Sequence, residues 1–201
     1  VGFQVGGSLT GCSSSATVKG VTYAGGIAGY TNGGASLTGC SATGSVSVEN
    51  NTTSAAYAGG VVGNNGSSSS TLKACYAWGS VTGSGSGTVY VGGVTGSNDL
   101  GTLTACYHAK ETVSGPAGTT GGVTGRNYKF FNDPVITACY WGSNPDTGIG
   151  YNEGGSTTIE TTKVTDGDWL DAVAQMNDAL QSAGSEWQYE LTGALPTLKE
   201  Q

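Results

Sequence analysis

The sequence predicts an all-β fold, a parallel β-solenoid (β-helix) of about 4–5 rungs with a small α+β cap at its C-terminal end. Three observations support this prediction. A cysteine mark recurs five times along the chain, a glycine block recurs four times between the cysteines, and the composition is rich in glycine, with 37 of 201 residues, and poor in aromatic residues, at 8%. Such a composition favours a thin, repetitive core over a broad globular one.

The first repeat mark is a cysteine that lies three positions after an aliphatic residue. The spacings between successive cysteines are 28, 35, 31 and 33 residues, and the variation falls in Ser, Gly, Asn and Thr stretches that are typical of loops. The five pairs are Leu9 and Cys12, Leu37 and Cys40, Leu72 and Cys75, Leu103 and Cys106, and Ile136 and Cys139.

The second mark is a Gly-Gly-aliphatic-x-Gly block that alternates with the cysteines. Its copies begin at Gly25, Gly59, Gly92 and Gly121. The alternation around Cys75 and Ala77 is that of a short half-buried strand, and a Tyr-x-Gly-Gly-Val pattern predicts a second one. Short strands of this kind cannot bury a face alone, so stacked repeats over residues 1–145 are expected to complete one core.

Stacking in register places the repeated cysteines in one internal column about 4.8 Å apart. We expect five free thiols, because in-register parallel strands hold Cβ atoms further apart than a disulfide prefers and an odd count precludes complete pairing. One or more disulfides are the alternative. The predicted structural core column is Cys12, Cys40, Cys75, Cys106 and Cys139.

These residues resemble the GLUG repeat, a short Gly-Gly-aliphatic-x-Gly module, over roughly residues 1–145, with Ile or Val at the usual leucine position. Such repeats occur in bacterial surface proteins, including proteins proposed to be adhesins, and in the non-catalytic region of IgA-specific metallopeptidases. The resemblance implies an extracellular location or a bacterial cell surface and an adhesive or spacer role. It transfers no catalytic residue.

Residues 146–201 differ from the repeats and are predicted to form the cap, with one helix over about 168–183 and a short strand over about 186–192. Asp168 is placed as the helix N-cap and Gly184 as the stop signal. We expect this segment to cover the hydrophobic end that a solenoid otherwise exposes, with a separate binding module as the alternative.

Charge excludes some classes of partner. Only 10% of the residues are charged, the net charge is −7, and ten of the 14 acidic residues follow residue 140. Without a basic cluster, the sequence indicates neither nucleic acid nor an anionic membrane surface as a partner. No apolar run approaches the roughly 18–20 residues of a membrane span, so no membrane insertion is expected within this segment.

The sequence offers no convincing catalytic, metal or cofactor site. Its single histidine, His108, is interpreted as a surface variation rather than a catalytic base. The acidic residues Glu49, Asp99 and Glu111 lie in separate loops and do not form a catalytic pair, and turn formation explains Asn98-Asp99 better than calcium binding does.

One feature could bind a partner. Tyrosine follows the last three cysteines, so these rings should point outward and stack as a column, with two tryptophans nearby. The leading hypothesis is a non-enzymatic extracellular adhesion or display module that contacts an unidentified protein or glycan. A carbohydrate-binding or carbohydrate-active module and a passive stalk are the alternatives, and same-face strand packing is the structural explanation of the tyrosines. The candidate binding residues are Tyr76, Trp78, Tyr107, Tyr140 and Trp141.

Overall fold

The computed structural model describes residues 1–153 and 158–201 and contains 26 short strands and one helix in those ranges. In chain order the elements are β1 (Phe3–Val5), β2 (Ser8–Thr10), β3 (Ser13–Ser14), β4 (Val18–Gly20), β5 (Tyr23–Gly25), β6 (Ala28–Asn32), β7 (Ser36–Thr38), β8 (Ser41–Ala42), β9 (Val46–Glu49), β10 (Ala56–Gly59), β11 (Val62–Asn65), β12 (Thr71–Lys73), β13 (Tyr76–Ala77), β14 (Val81–Ser84), β15 (Val89–Gly92), β16 (Thr95–Asp99), β17 (Thr102–Thr104), β18 (Tyr107–His108), β19 (Val113–Ser114), β20 (Thr120–Gly121), β21 (Thr124–Tyr128), β22 (Val135–Trp141), β23 (Ile149–Asn152), β24 (Ile159–Lys163), α1 (Leu170–Ser182), β25 (Trp187–Glu190) and β26 (Thr197–Glu200).

The repeats stack into parallel sheets, which confirms the predicted β-solenoid. Sheet A contains β1, β6, β11, β16, β21 and β23, sheet C contains β4, β9, β14 and β19, and sheet D contains β5, β10, β15 and β20. Sheet B consists of two columns, β2-β7-β12-β17 and β3-β8-β13-β18, which join in the long strand β22. The stack continues past residue 145, because β23 pairs with β21 and β24 pairs with β22.

The main core lies between sheets A and B. The aliphatic residue of each cysteine mark pairs in register with its counterparts, as in Leu37 with Leu72, so equivalent side chains form columns. A second apolar cluster lies between sheets C and D and includes Val46, Val81 and Val91. Two thin cores rather than one broad core explain how a chain with few aromatic residues buries enough apolar surface.

The second glycine of each block forms a narrow waist beside the main core. A Cβ at Gly60 would lie 2.5 Å from the Cβ of Ala77, and a Cβ at Gly93 would lie 2.5 Å from the Cβ of His108. Because real Cβ atoms do not approach so closely, this close backbone approach requires glycine. The facing column across the waist is Ala42, Ala77, His108 and Trp141.

A ladder of hydrogen-bonded side chains, most of them buried asparagines, runs along sheet A. Thr31 Oγ1 donates to Asn65 Oδ1 at 2.8 Å, Asn65 Nδ2 donates to Asn98 Oδ1 at 2.9 Å, and the chain of bonds continues through Asn127 to Asn152. Each bond joins one turn of the solenoid to the next. The ladder therefore satisfies buried polar groups while it fixes the register of the turns.

The C-terminal segment, residues 164–201, packs along the side of the solenoid rather than over its end. Trp187 lies against Gly11 and Gly39 in the first two turns, while Tyr189 Oη donates to the carbonyl of Ala105 at 2.9 Å in the fourth. The expected covering of the solenoid end is therefore corrected to a lateral strap across the outer side of sheet B. The apolar residues of this segment are buried by packing against the row of tyrosines on sheet B.

The helix of this segment begins with Trp169, not Asp168, as its N-cap residue, although Asp168 Oδ1 accepts a hydrogen bond from the Leu170 N–H at 3.1 Å. It buries Ala172, Met176 and Leu180. Within residues 1–153 and 158–201, no helix has the length and apolarity needed to cross a membrane.

Candidate functional site

The predicted tyrosine row exists on the outer side of sheet B, but the C-terminal segment covers it. Tyr76 and Tyr107 stack with ring centroids 5.2 Å apart, and only 8% and 0% of their surfaces are exposed. Tyr107 Oη donates to the carbonyl of Pro196, and Tyr140 Oη donates to Gln175 Oε1 at 2.9 Å. A ligand could reach these rings only if the segment moved away.

The two tryptophans of the predicted site lie on opposite sides of sheet B. Trp78 is half-buried beside the row, where its Nε1 donates to Tyr107 Oη at 2.8 Å. Trp141 points into the main core, contrary to its expected place beside the outer row, because it occupies the inward register position of His108. Binding by the five predicted residues stays a prediction, and the structure does not bring them together on an exposed surface.

The cysteines line the main core as free thiols. Four are fully buried and Cys12 is half-buried. The thiol of Cys40 donates to the carbonyl of Leu9 at 3.4 Å, one turn away. Burial raises the pKa of the Cys75 and Cys106 thiols well above its usual value, so neither is a nucleophile at neutral pH.

His108 is buried, and its interpretation as a surface residue is wrong. Its side chain is 0% exposed at the waist, with Nε2 at 3.0 Å from the carbonyl of Gly79 and Nδ1 without a partner. Burial lowers its pKa to about 4, so the ring is neutral at physiological pH. The ring has no access to an external substrate.

A second aromatic row, which sequence reasoning missed, lies where the outer sides of sheets A and D meet. Tyr23, Tyr57 and Tyr90 stack along sheet D with centroid distances of 5.5 and 5.6 Å and interplanar angles of 7° and 13°. We call the surface around this row the corner surface. Its exposed or half-buried residues are Phe3, Tyr23, Tyr30, Tyr90, Asp99, Arg126, Tyr128 and Tyr151, which contact the buried residues Tyr57, Asn64 and Ser97.

An ion pair lies at the centre of the corner surface. Arg126 Nη2 donates to both carboxylate oxygens of Asp99 at 2.8 Å, and Arg126 Nε donates to Ser97 Oγ at 3.0 Å. Asn64 Nδ2 donates to Asp99 Oδ2 at 3.0 Å. The two charges cancel, and their side chains keep 16% and 17% of their surface exposed. This corrects the interpretation of Asp99 as a simple turn residue.

Aromatic rings surround the guanidinium group. Arg126 Cζ lies 5.2, 5.1 and 4.6 Å from the ring centroids of Tyr57, Tyr90 and Tyr128, distances typical of cation–π contacts. Burial raises the pKa of Tyr57 to about 12, against the opposing effect of Arg126. A tyrosine hydroxyl is protonated at neutral pH even without this shift and can donate a hydrogen bond.

The corner surface continues into an exposed aromatic loop. Tyr128 stacks on Phe130 with centroids 6.5 Å apart, and Phe130 contacts Phe131 edge-to-face at 4.1 Å. These two phenylalanines are 61% and 80% exposed, and Tyr151 on the adjacent turn is 43% exposed. Exposed aromatic side chains that adjoin one another are typical of interaction sites.

The rings, donors and acceptors of the corner surface are suited to recognising a binding partner. No group of three or more His, Cys, Asp or Glu side chains within residues 1–153 and 158–201 is placed to bind a metal ion. Asn98 belongs to the amide ladder and Asp99 to the ion pair. The signal for the corner surface was present in the sequence, because tyrosine lies two positions before three of the four glycine blocks.

Comparisons with known proteins give a fold relationship only. No family model and no curated protein matches this chain. Among solved structures, the chain is similar to the crystal structure of a provisionally assigned immunoglobulin A1 protease from Bacteroides ovatus, with a TM-score of 0.61 and 16% sequence identity. The alignment covers 98% of this chain and 62% of that protein. The match supports the loose relation predicted from the repeats, while the GLUG assignment itself stays a prediction.

Proposed function

We propose that this chain is a non-enzymatic extracellular module of a bacterial surface protein and that it binds a partner through its corner surface. The observation behind the proposal is the continuous aromatic surface around the Asp99–Arg126 ion pair. A sheet face that only closed a core would not need exposed rings such as Tyr151 and Phe131.

The buried histidine and cysteines support a non-enzymatic role. His108, the only histidine of the chain, is neutral and enclosed, and the thiols of Cys75 and Cys106 are protonated in the core. A base and a nucleophile must lie within hydrogen-bond reach of a substrate to act on it. None of these groups meets that requirement.

The fold relationship supports an extracellular setting. The similar Bacteroides ovatus structure is assigned provisionally as an immunoglobulin A1 protease, and immunoglobulin A1 is an extracellular protein. This chain spans 62% of that structure, and the residues described above supply no protease chemistry. We therefore assign it a presenting or adhesive role.

A binding and turnover screen tests the proposal. Purified protein is applied to immobilised matrix proteins and glycans, and the same mixtures are examined for cleavage products by mass spectrometry. We expect retention on at least one ligand without products. Product formation would favour the carbohydrate-active alternative, and no retention on any ligand would favour a passive stalk.

Paired variants locate the binding surface. The double variant Tyr128→Ser and Tyr151→Ser removes two rings of the corner surface, whereas Leu170→Ser makes a similar apolar-to-polar change on the helix, where the side chain is 65% exposed. Retention should fall only for the first. Circular dichroism and thermal melting verify that both variants are folded.

A further inference from the structure

We infer that the corner surface binds a neutral, hydroxyl-rich glycan, an inference that rests on the binding role proposed above. Charge is the first argument. A single guanidinium nitrogen of Arg126, Nη2, donates to both carboxylate oxygens of Asp99, so the centre of the surface presents adjacent donors and acceptors with no net charge. A neutral ligand has no charge of its own to desolvate there, whereas an acidic glycan finds the one cation of the ion pair already neutralised by Asp99.

Unused hydrogen-bonding capacity is the second argument. Arg126 donates through Nε and Nη2, while its Nη1 makes no hydrogen bond among the described residues. Asn64 is only 4% exposed, and its Oδ1 has no partner although its Nδ2 binds Asp99. Buried polar atoms are normally paired, so the unpaired amide oxygen of Asn64, on a side chain that contacts the ion pair, indicates a hydrogen bond that a polar ligand could complete.

Ring geometry is the third argument. Tyr23, Tyr57 and Tyr90 cover each other's faces within their row, but Tyr151 is tilted by 46° from Tyr90 at 6.2 Å. Tyr151, which pairs in register with Arg126 on the adjacent strand, therefore keeps an open ring face beside the ion pair. Sugar rings present apolar C–H faces to aromatic rings and hydroxyl groups to planar donors and acceptors, so one pyranose unit can satisfy both parts of the surface.

Binding measurements on defined polymers test the inference. The intact chain is measured by biolayer interferometry against the neutral polysaccharides mannan, laminarin and galactan, the acidic polymers heparin and polysialic acid, and the proteins fibronectin and collagen. We expect binding to at least one neutral polysaccharide. Its dissociation constant should change by less than about twofold between about 0.15 and 0.5 M salt, because salt screens only interactions between charges.

Variants decide whether this surface is responsible. Arg126→Lys keeps the charge but removes the planar fork, and it should weaken binding about tenfold, as should Tyr151→Ser. Leu170→Ser should leave the affinity unchanged. If Arg126→Lys lowers the melting temperature, Tyr151→Ser remains a test on an exposed residue that does not depend on the ion pair.

The outcomes separate this inference from the proposed function. Binding only to acidic polymers or only to proteins would overturn the glycan assignment and leave a binding module. Neutral-glycan binding that neither Arg126→Lys nor Tyr151→Ser weakens would overturn the assigned surface. Failure to bind any of the seven probes would overturn both this inference and the proposed function.

Discussion

Protonation of His108 should make the stability of this solenoid depend on pH. The ring lies at the waist between the two cores, where a Cβ at Gly93 would lie 2.5 Å from the His108 Cβ, and it is 0% exposed. Nε2 faces the carbonyl of Gly79, so the neutral ring donates one hydrogen bond when the proton is on Nε2. A second proton on Nδ1 would be buried without a partner.

The direction of the effect follows from the lowered pKa of His108. In the unfolded chain the imidazole takes up a proton near its ordinary pKa of about 6.5, whereas in the folded chain it does so near pH 4. Between these values the unfolded state binds more protons, so the free energy of unfolding falls as the pH falls. The loss amounts to about 2 kcal/mol between pH 7 and pH 5 and approaches about 3 kcal/mol below pH 4, from a pKa of about 4 in the fold.

Urea unfolding followed by tryptophan fluorescence measures this contribution. The free energy of unfolding is determined at several pH values between 7 and 4.5 for the natural chain and for His108→Ala. Alanine is the residue at the equivalent position of the preceding turn, Ala77. The variant is expected to be less stable at pH 7 because it leaves a cavity, but it should lose about 2 kcal/mol less than the natural chain on acidification to pH 5.

Parallel pH profiles for the two proteins would refute this reasoning. They would show that His108 titrates alike in the folded and unfolded states, as an exposed histidine does. The comparison is insensitive to the carboxylates of the chain, because both proteins contain the same ones.

Three further predictions follow from the packing. Gly39→Ala should destabilise the fold by about 2 kcal/mol and shift the fluorescence emission of Trp187, because the new Cβ would lie 2.3 Å from the Trp187 ring at a φ of +65°. Ala74→Gly, at the equivalent position of the next turn, should cost less than about 1 kcal/mol. Urea unfolding distinguishes the two, and equal losses would contradict the proposed contact. Asn98→Ala should cost about 2–3 kcal/mol by breaking the amide ladder, and a loss below about 0.5 kcal/mol would count against it. In thiol titration, only the half-buried Cys12 should react in the native protein and all five thiols after denaturation, and fewer than five would indicate a disulfide.

The repeat was sufficient to predict the solenoid, because periodic marks determine which strands stack whatever their loops contain. The same register could have placed His108 correctly. The alternation around Cys75 puts Ala77 on the same face as the cysteine column, and His108 is the equivalent of Ala77 one turn later. Trp141 follows by the same step. Residue type alone misplaces both side chains, whereas their position in the repeat places them in the interior.

The covering of Tyr107 and the assembly of the corner surface could not be predicted in this way. The first depends on a contact with Pro196, 89 positions away, and no periodicity relates the C-terminal segment to the repeats. The second depends on Arg126 reaching Asp99 in the preceding turn and three tyrosines from different turns. Arginine occurs once in the chain, so the repeat gives no signal for it.

One repeat position nevertheless records where the C-terminal segment lies. The residue before each cysteine has a left-handed backbone with φ between +48° and +65°, and in successive turns it is Gly11, Gly39, Ala74, Ala105 and Ala138. A repeat that only had to make this bend would favour glycine in every turn, since alanine costs about 1 kcal/mol there. Under Trp187 there is no room for a methyl group at Gly39, whereas Ala74 and Ala105 bury theirs completely beneath the segment. Burial of a methyl group returns about 0.8 kcal/mol, which nearly offsets the strain. The change from glycine to alanine therefore follows the shape of the covering segment, and the same repeats without that segment would be expected to keep glycine at all five positions.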